Sequence, residues 1–440
     1  MKMDMRSQLE KLNEAVAAGE KSAARQRLLR FFDADTFVEI DRLAKDGDRP
    51  AEVVAGYGCV DGCPVYAFAQ DHEVCCGAVG RAQAAKIQKI YTLAAQNGAP
   101  VVAMFDSDGA KLGEGIDAMD AIADILLAAN NLSGVVPQIA LIAGPCVGSA
   151  ALIAANADVT VKVKDADYYL NPGDESAAAS VCVEDESAAL GKVRELIALL
   201  PANNLAAAPA YEFDGAAVAQ AQDIASAMEA AADAGSLFVF DSDSDCKTAF
   251  ARVGGLPCGL LTLTGDKVKG CAASRLARFI RLCDGFSLPV ISFVDAAGFA
   301  CLKGAAKLSH AYAEATTAKI TVITGRAYGP VYIAAAGKSA GADAVLAWPC
   351  AAISPLNPEA AIHLFWKDRL AGLSDPVAGR QKLAAEYAEQ ECSALSAAAD
   401  GVVTDVIAPA ETRSRLISLL DMLAGKRVSR LPKKHSNIVL

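Results

Sequence analysis

Twice along the chain an apolar, largely β-branched run breaks at glycine and gives way to small residues: QIALIAGPCVGSAALIAANADV from Gln138 and KITVITGRAYGPVYIAAAGKSAGADAV from Lys319. A buried strand that ends in glycine and feeds a helix presents unpaired N–H groups and about half a positive charge at the first turn, which stabilises an anion. In each half an earlier apolar run closes on Asp and a glycine turn, Asp106-Ser-Asp-Gly-Ala110 and Asp295-Ala-Ala-Gly-Phe299, and can add another backbone donor. Two converging amides make an oxyanion hole, and loss of one such donor typically costs about 2.7–4 kcal/mol of transition-state stabilisation. A single glycine loop of this kind is most simply a helix cap where close packing is needed; its occurrence twice favours the chemical reading. The second cradle carries a fault, because Pro330 follows Gly329 and proline has no N–H to give.

Donors of this kind must be positioned by strands that stop at one level of a sheet, and the sequence repeats the parts of such a sheet. The proline-led strands APVVAMFDSDGA and LPVISFVDAAGF share one plan, with Pro100 and Pro289 lying 189 residues apart. Each follows a helical pattern, Ile87, Ile90, Tyr91 and Ala94 in the first half and Leu276, Phe279, Ile280 and Cys283 in the second. Hairpin-like stretches, GCVDGCPVYAF and ARVGGLPCGLL, precede those helices, and Ile139 aligns with Ile320, 181 residues on. Four ordered landmarks repeating in this way indicate a duplication of one domain, since the period is far too long for a solenoid. Each half reads strand, helix, strand, loop, helix, strand, which calls for an α/β fold with a largely parallel sheet and right-handed crossovers. The runs IALIA, ITVIT and VISFV suit parallel strands buried on both faces. Residues 1–40 predict an N-terminal helical arm and residues 41–232 a first domain, within which 171–232, rich in Ala, Asp, Glu and Ser, read as an acidic helical connector; residues 233–440 predict the second domain.

Bulk properties narrow the function. A chain of 440 residues exceeds one ordinary core. A formal net charge of −11 argues against nucleic acid or an anionic membrane as the main partner. Thirteen scattered cysteines without a CxxC pair suit reduced thiols in a cytoplasmic protein. His72, His310, His363 and His435 are the only histidines, and none is read as standing at ligand spacing to another His or Cys, so no metal site is expected. The opening MKMDMRSQLEKLNEA reads as a charged amphipathic helix and not as a signal peptide. Val135 to Ala157 is uncharged over roughly the 20 residues of a membrane span, but its internal Gly144-Pro145, Gly148-Ser149 and Asn156, together with its charged twin in the second half, argue against one.

The motifs GYGCVDGCPVYAFAQD, FDSDGAKLGEGID, QIALIAGPCVGSA, KGAAKLSHAYAEATTAKITVITGRAYGPVY, LAWPCAAIS and the tail KKHSNIVL resemble the biotin-dependent acyl-CoA carboxyltransferases. These comprise the β subunits of acetyl- and propionyl-CoA carboxylases and the α subunits of sodium-pumping acyl-CoA decarboxylases. The resemblance implies tandem duplicated crotonase-like (ClpP/crotonase) domains, with an active site where one chain's N-terminal domain faces its partner's C-terminal domain. It implies a coenzyme A thioester as substrate, and biotin carried on a separate biotin carboxyl carrier protein. A biotin carboxylase or a membrane decarboxylase subunit would complete the assembly, with the chain itself at least a dimer, as a rule a hexamer, in the cytoplasm or peripheral to a membrane complex. Carboxyl transfer of this kind passes through a thioester enolate and a ureido oxyanion, so two holes are expected and no side-chain nucleophile.

Carried over by motif, the first hole falls on Gly148 and Ser149 with Gly109 and Ala110, where the family's D-S-G-G-A-R stands as Asp106-Ser-Asp-Gly-Ala-Lys111. The second falls on Gly329 and Val331 with Gly298 and Phe299, where Y-G-G-A-Y stands as Tyr328-Gly-Pro-Val-Tyr332. Tyr328, Tyr332, Ile333 and Lys111 are the substrate-contact residues implied. At the position of Ile333, acetyl-CoA-preferring relatives carry Ile and propionyl-preferring ones Asp. The chain departs from the family in a short loop between Phe299 and Gly304 and in lacking G-G-A-R-T-H, both of which help to wall the substrate pocket. Other residues invite rival readings. Lys111, Lys303 and Lys307 could meet CoA phosphates, although lysines near such loops are usually solvated. Glu114 could serve as the acid/base of a hydratase, against the simpler reading of a surface carboxylate. Asp241-Ser-Asp-Ser-Asp245 lacks the Gly and distal Glu of a calcium loop and reads as a solvated turn, and Trp348 is expected to pack beneath the final helices.

Overall fold

The computed structural model describes all residues except 1–4, 20–21, 48, 214–219, 373–377, 429–430 and 438–440. The chain divides into two compact units, Met1–Ala207 and Ala208–Leu440, each built around one sheet.

The first unit runs α1 (Met5–Gly19), α2 (Ala23–Phe31), β1 (Val38–Glu39), a separate ribbon of β2 (Lys45–Asp46) and β3 (Arg49–Pro50), then β4 (Val54–Val60) and β5 (Cys63–Ala69). It continues through α3 (Arg81–Asn97), β6 (Val101–Ser107), α4 (Ile116–Asn131), β7 (Gln138–Val147), α5 (Ser149–Ala155), β8 (Val159–Val163), β9 (Tyr168–Tyr169), β10 (Val181–Val183) and α6 (Glu186–Leu199). The sheet order is β1-β4-β5-β6-β7-β8-β10, with β9 on the end of β7. The leading hairpin is antiparallel and every pairing from β5 to β10 is parallel.

The second unit repeats this plan. It contains α7 (Ile224–Ala231), β11 (Phe238–Ser242), β12 (Cys246–Val253), β13 (Leu256–Gly265), α8 (Gly270–Gly285), β14 (Val290–Ala296), α9 (Leu302–Glu314), β15 (Lys319–Tyr328), β16 (Ala344–Ala347) and β17 (Ala352–Ser354). Helices α10 (Pro358–Phe365), α11 (Lys367–Ala371), α12 (Ala378–Glu391) and α13 (Ala394–Ala399) follow, then β18 (Asp405–Val406) and α14 (Thr412–Leu423). Its sheet order, β11-β12-β13-β14-β15-β16-β18 with β17 on β15, is the same topology.

The expected hairpins form in both units. Asp61-Gly62 and Gly254-Gly255 link them, with φ values of 49° and 79°, and 61° and 77°. Two consecutive positive φ angles define the tight turn whose twist matches the flanking strands. All eight apolar positions read as the buried faces of α3 and α8 are buried. Val135 to Ala157 folds as β7 and α5, and no helix among the described residues is long and apolar enough to cross a membrane.

Two segments read as peripheral are built into the cores. Helix α2 buries Ala24, Leu28 and Phe31 and packs on β4 and β5. Within the acidic stretch 171–232, β10 extends the first sheet beside β8, and α6 lies against β7 and β8. Helix α7 instead covers β13 and β14 of the second unit. On α6, Leu190, Val193, Leu196 and Ile197 supply the buried apolar stripe, while Glu195 stays exposed. Trp348 is buried and donates its indole N–H to Thr412 Oγ1 at 3.0 Å, beneath α14 as expected.

The C-terminal tail is fixed by one carboxylate. Burial opposes ionisation of Glu314, but bonds from Lys433 and Ser436 and the nearby His310 hold its pKa down to about 2. A carboxyl with an ordinary value of 4.5 that is lowered on folding contributes stability above the ordinary value and loses it as pH falls toward 2. Glu314→Gln is therefore expected to lower stability at neutral pH by about 1–2 kcal/mol and to flatten its decline between those two pH values. Thermal melts across that window, with hydrogen exchange of residues 431–437, check this.

Candidate active site

In both units the end of the fourth sheet strand, β6 or β14, is shaped by an aspartate seated over a glycine of the neighbouring strand. The register of β6 on β7 shifts between Phe105 and Ser107, and that of β14 on β15 between Val294 and Ala296. Asp106 and Asp295 occupy these shifts. Their carboxylates fill the space where a side chain at Gly144 or Gly325 would sit. Arg27, buried on α2, donates to Asp106 at 3.2 Å and to Glu186 at 3.0 Å. In the second unit Arg326 donates to Asp295 both from its backbone N–H, at 2.9 Å, and from its Nε, at 2.8 Å.

Past the shift, the chain in the first unit forms a single parallel bridge between Val79 and Ala110. Val79 N–H donates to the Gly109 carbonyl at 2.8 Å and Lys111 N–H to the Val79 carbonyl at 2.9 Å. Those bonds use the groups on either side of Ala110, so its own N–H faces away and takes no partner among the described residues. On the neighbouring strand, Gly148 (φ 59°) turns β7 into α5, whose first residue, Ser149, has no carbonyl a turn earlier to bond. A Cβ on Gly109 would lie 2.9 Å from the Val147 carbonyl oxygen, 3.1 Å from Ser149 Oγ and 3.4 Å from Ser149 N. The two loops thus touch at Gly109, one residue from the first free amide and directly against the second.

This sorts the four expected residues into two roles. Ala110 and Ser149 present N–H groups without a partner among the described residues. Gly109 N–H is taken by Ser107 Oγ at 3.0 Å and Gly148 N–H by the Tyr169 carbonyl on β9 at 3.0 Å, so neither glycine can serve an oxyanion with its own amide. Their part is conformational, with φ values of 98° and 59° that only glycine adopts cheaply.

The second unit matches this arrangement and then departs from it. Val268 bridges Phe299, with Val268 N–H donating to Gly298 at 2.9 Å and Ala300 N–H to Val268 at 2.8 Å, which leaves the Phe299 amide free as in Ala110. Gly329 (φ 41°) gives its N–H to the Ser354 carbonyl on β17 at 2.9 Å, the counterpart of Gly148 and Tyr169. Pro330 opens the helix where Ser149 does in the first unit, and so removes the matching donor. Val331 retains a free N–H one residue later, within the first turn. The helix is also irregular: Tyr332–Ala336 is a π turn and Lys338–Ala340 a 3-10 turn, where the first unit has α5.

A largely apolar cleft of about 420 Å³ opens beside this loop, lined by Gly329, Tyr332, Ile333, Pro355, Ala397 and Val402 among others. It brings Gly329, Tyr332 and Ile333 together but does not reach Gly298, Phe299, Tyr328 or Val331. Tyr328 and Val331 are buried. Tyr332 donates its hydroxyl to the Val402 carbonyl at 2.9 Å, and burial pushes its pKa up, so it acts as a wall.

The expected charged groups near the loops have other duties. The ammonium of Lys111 is bonded to Asp46 and lies 3.3 Å from Glu114, and these bonds raise its pKa, so two carboxylates neutralise it before any phosphate could. Glu114 accepts the Arg81 N–H at 2.9 Å and caps α3. Lys303 is exposed and Lys307 half-buried on α9. In the acidic turn at 241–245, Asp245 caps α8 through the Lys269 N–H at 2.9 Å, which lowers its pKa, and Asp243 pairs with Arg275 at 2.6 Å. The expectation that no histidine has metal-ligating neighbours does not hold: His72, Cys76 and Asp108 converge. Spacing along the chain hid this, because Asp108 arrives from the next strand. The Arg27 pairing and the role of β9 and β17 in taking the glycine amides were also missed; the only sequence signal was the repetition of Asp106 with Gly144 in Asp295 with Gly325.

The chain is 34% identical to the methylmalonyl-CoA decarboxylase subunit alpha of Propionigenium modestum, covering 96% of this chain and 94% of that one. It is 34% identical to the propionyl-CoA carboxylase carboxyltransferase subunit of Haloferax mediterranei, with the same two coverages. The crystal structure of transcarboxylase 12S, a hexamer with hydrolysed methylmalonyl-coenzyme A bound, matches with a TM-score of 0.90 at 30% identity over the whole of both chains. A single-chain long-chain acyl-CoA carboxylase shares the fold, with a TM-score of 0.78 at 22% identity over 95% of this chain and 49% of that one. The fold is therefore the tandem crotonase-like one. The carboxyl transferase domain matches residues 15–172 and again 173–438, so with duplicated sheets, paired glycine turns and these relatives, the chain belongs to the carboxyl transferase domain family.

Proposed function

We propose that this chain is the subunit that moves a carboxyl group between an acyl-CoA and biotin carried on a separate protein. The observation that carries the reading is the pair of unpartnered amides, Ala110 and Ser149, on the two sides of the gap left by Gly109. Moving a carboxyl off an acyl α-carbon leaves negative charge on the thioester oxygen, and preorganised N–H groups stabilise charge where it develops. In the second unit the Phe299 amide is the one available for the same task, while the Val331 N–H, unpartnered among the described residues, belongs to a buried residue. Glu114, Lys111 and Tyr332 are all engaged, so none of the three is free to act as the base. That fits a reaction in which the proton partner comes from outside; biotin supplies, when bound, both the carboxyl acceptor and the N–H proton for the acyl α-carbon, and in the reverse direction its ureido nitrogen takes that proton back.

The chain would act as a homo-oligomer, at least a dimer and as a rule a hexamer, with a biotin carboxyl carrier protein as partner. Leu112, Ile116 and Met119 near the first cradle, and Leu302, Ile333 and Leu395 in the second unit, are each at least 62% exposed, an apolar surface that association would cover.

Incubating the pure protein with methylmalonyl-CoA or malonyl-CoA is expected to release the decarboxylated ester only when free biotin is added. Turnover that ignores biotin would sink the proposal. A second reading, a weakened subunit that pairs with an intact relative, is favoured only by Pro330, and predicts no turnover alone but recovery with a co-purified homologue.

A further inference from the structure

Beside the first cradle, residues from two loops bring three metal-ligating atoms together. His72, Cys76 and Asp108 offer a ring nitrogen, a thiol sulfur and a carboxylate oxygen, all within 4.8 Å of one another. His72 Nε2 lies 3.2 Å from Asp108 Oδ1. The turn that presents the cysteine is strained. Cys75 and Cys76 have φ values of 50° and 56°, and Gly77 follows at 61°. A left-handed backbone costs a residue with a side chain about 1–2 kcal/mol. The strain turns the Cys76 carbonyl onto the Asp108 N–H at 3.0 Å, so two of the three ligand-bearing residues are bonded to each other through the backbone. Asp108 is also a departure noted in the sequence, since the family's motif has glycine there, and the anion cradle makes no use of its carboxylate.

We propose that His72, Cys76 and Asp108 form a three-ligand zinc site with its fourth position open to water. Zinc accepts nitrogen, thiolate sulfur and carboxylate oxygen together, at about 2.0–2.3 Å, whereas magnesium and calcium select oxygen-only sets. Exposed fractions of 38% for the His72 side chain and 50% for Asp108 leave an entry path and a wet fourth position. On binding, the Cys76 thiol gives its proton to solvent and His72 coordinates as neutral imidazole. Thiolate and carboxylate then balance the charge of the ion. Because Asp108 immediately precedes Gly109, the ion would tie the loop 71–77 to the strand end that carries the first cradle.

The test uses the full-length reduced protein, titrated with zinc against a chromophoric chelator and separately with cobalt as a spectroscopic substitute. One equivalent is expected to bind, with a thiolate-to-cobalt charge-transfer band. Cys76→Ser, His72→Gln and Asp108→Asn are each expected to weaken zinc binding by at least about 10–100-fold, with metal-free melting temperatures near that of the parent. Cys63→Ser, which removes another exposed thiol, should leave the affinity unchanged. Absence of stoichiometric binding, a cobalt spectrum without the thiolate band, or tight binding that survives Cys76→Ser would each overturn the proposal.

Discussion

Gly109→Ala is expected to lower the carboxyl-transfer rate by a factor on the order of 10²–10³, the effect of losing one oxyanion donor. The added methyl would press on the Val147 carbonyl at 2.9 Å and on Ser149 Oγ at 3.1 Å, parting the two loops where their free amides meet. It would also strain a backbone at φ 98°, a cost of about 1–2 kcal/mol. That strain alone should move the melting temperature by only a few degrees, roughly 2–4 °C per kcal/mol in domains of this size. Steady-state kinetics beside a thermal melt therefore separate the effects. A rate within threefold of the parent would show that the Gly109 gap has no catalytic role.

Pro330→Gly is expected to raise the rate, by something on the order of tenfold to a hundredfold. Pro330 stands at the first position of its helix, where its missing N–H costs the helix nothing. The same position in the first unit is Ser149, whose amide is free to bind an anion. Returning an N–H there would complete the second cradle, and a single such donor is worth up to about 2.7–4 kcal/mol. The reciprocal change, Ser149→Pro, would reproduce the fault in the first unit and should reduce kcat more than it alters KM, because the lost contact strengthens in the transition state. An unchanged or lower rate in Pro330→Gly would mean that the loop is structural and that Phe299 and Val331 already suffice.

Much of this architecture was legible because duplication doubles every signal. The proline-led strands, the helix stripes of α3 and α8 and the two hairpins each appeared twice in order, and periodicity alone placed their buried residues. The cradles were legible as loops, because glycine before a run of small residues can be read without coordinates. Which amides point outward was not. Gly148 and Gly329 carry the family's motif, yet short strands that arrive about twenty residues later, β9 and β17, take their N–H groups. Strands of two and three residues have no periodicity to detect. Helix α2 and β10 were assigned to an arm and a connector because these elements, nine and three residues long, are too short for their apolar residues to stand out from the charged sequence around them. The His72, Cys76 and Asp108 group needed a contact between residues 32 apart, which no local spacing rule reaches.

The aspartates at the two strand ends draw their countercharge from unlike sources. Asp295 is neutralised by Arg326 from the adjacent strand, so that half carries its own balance wherever its sheet is intact. Asp106 depends on Arg27, contributed by a helix nearly eighty positions earlier and pinned on its other side by Glu186. A truncation that removes Arg27 would therefore reach the first lobe's chemistry directly, by stranding a carboxylate beneath its working loop.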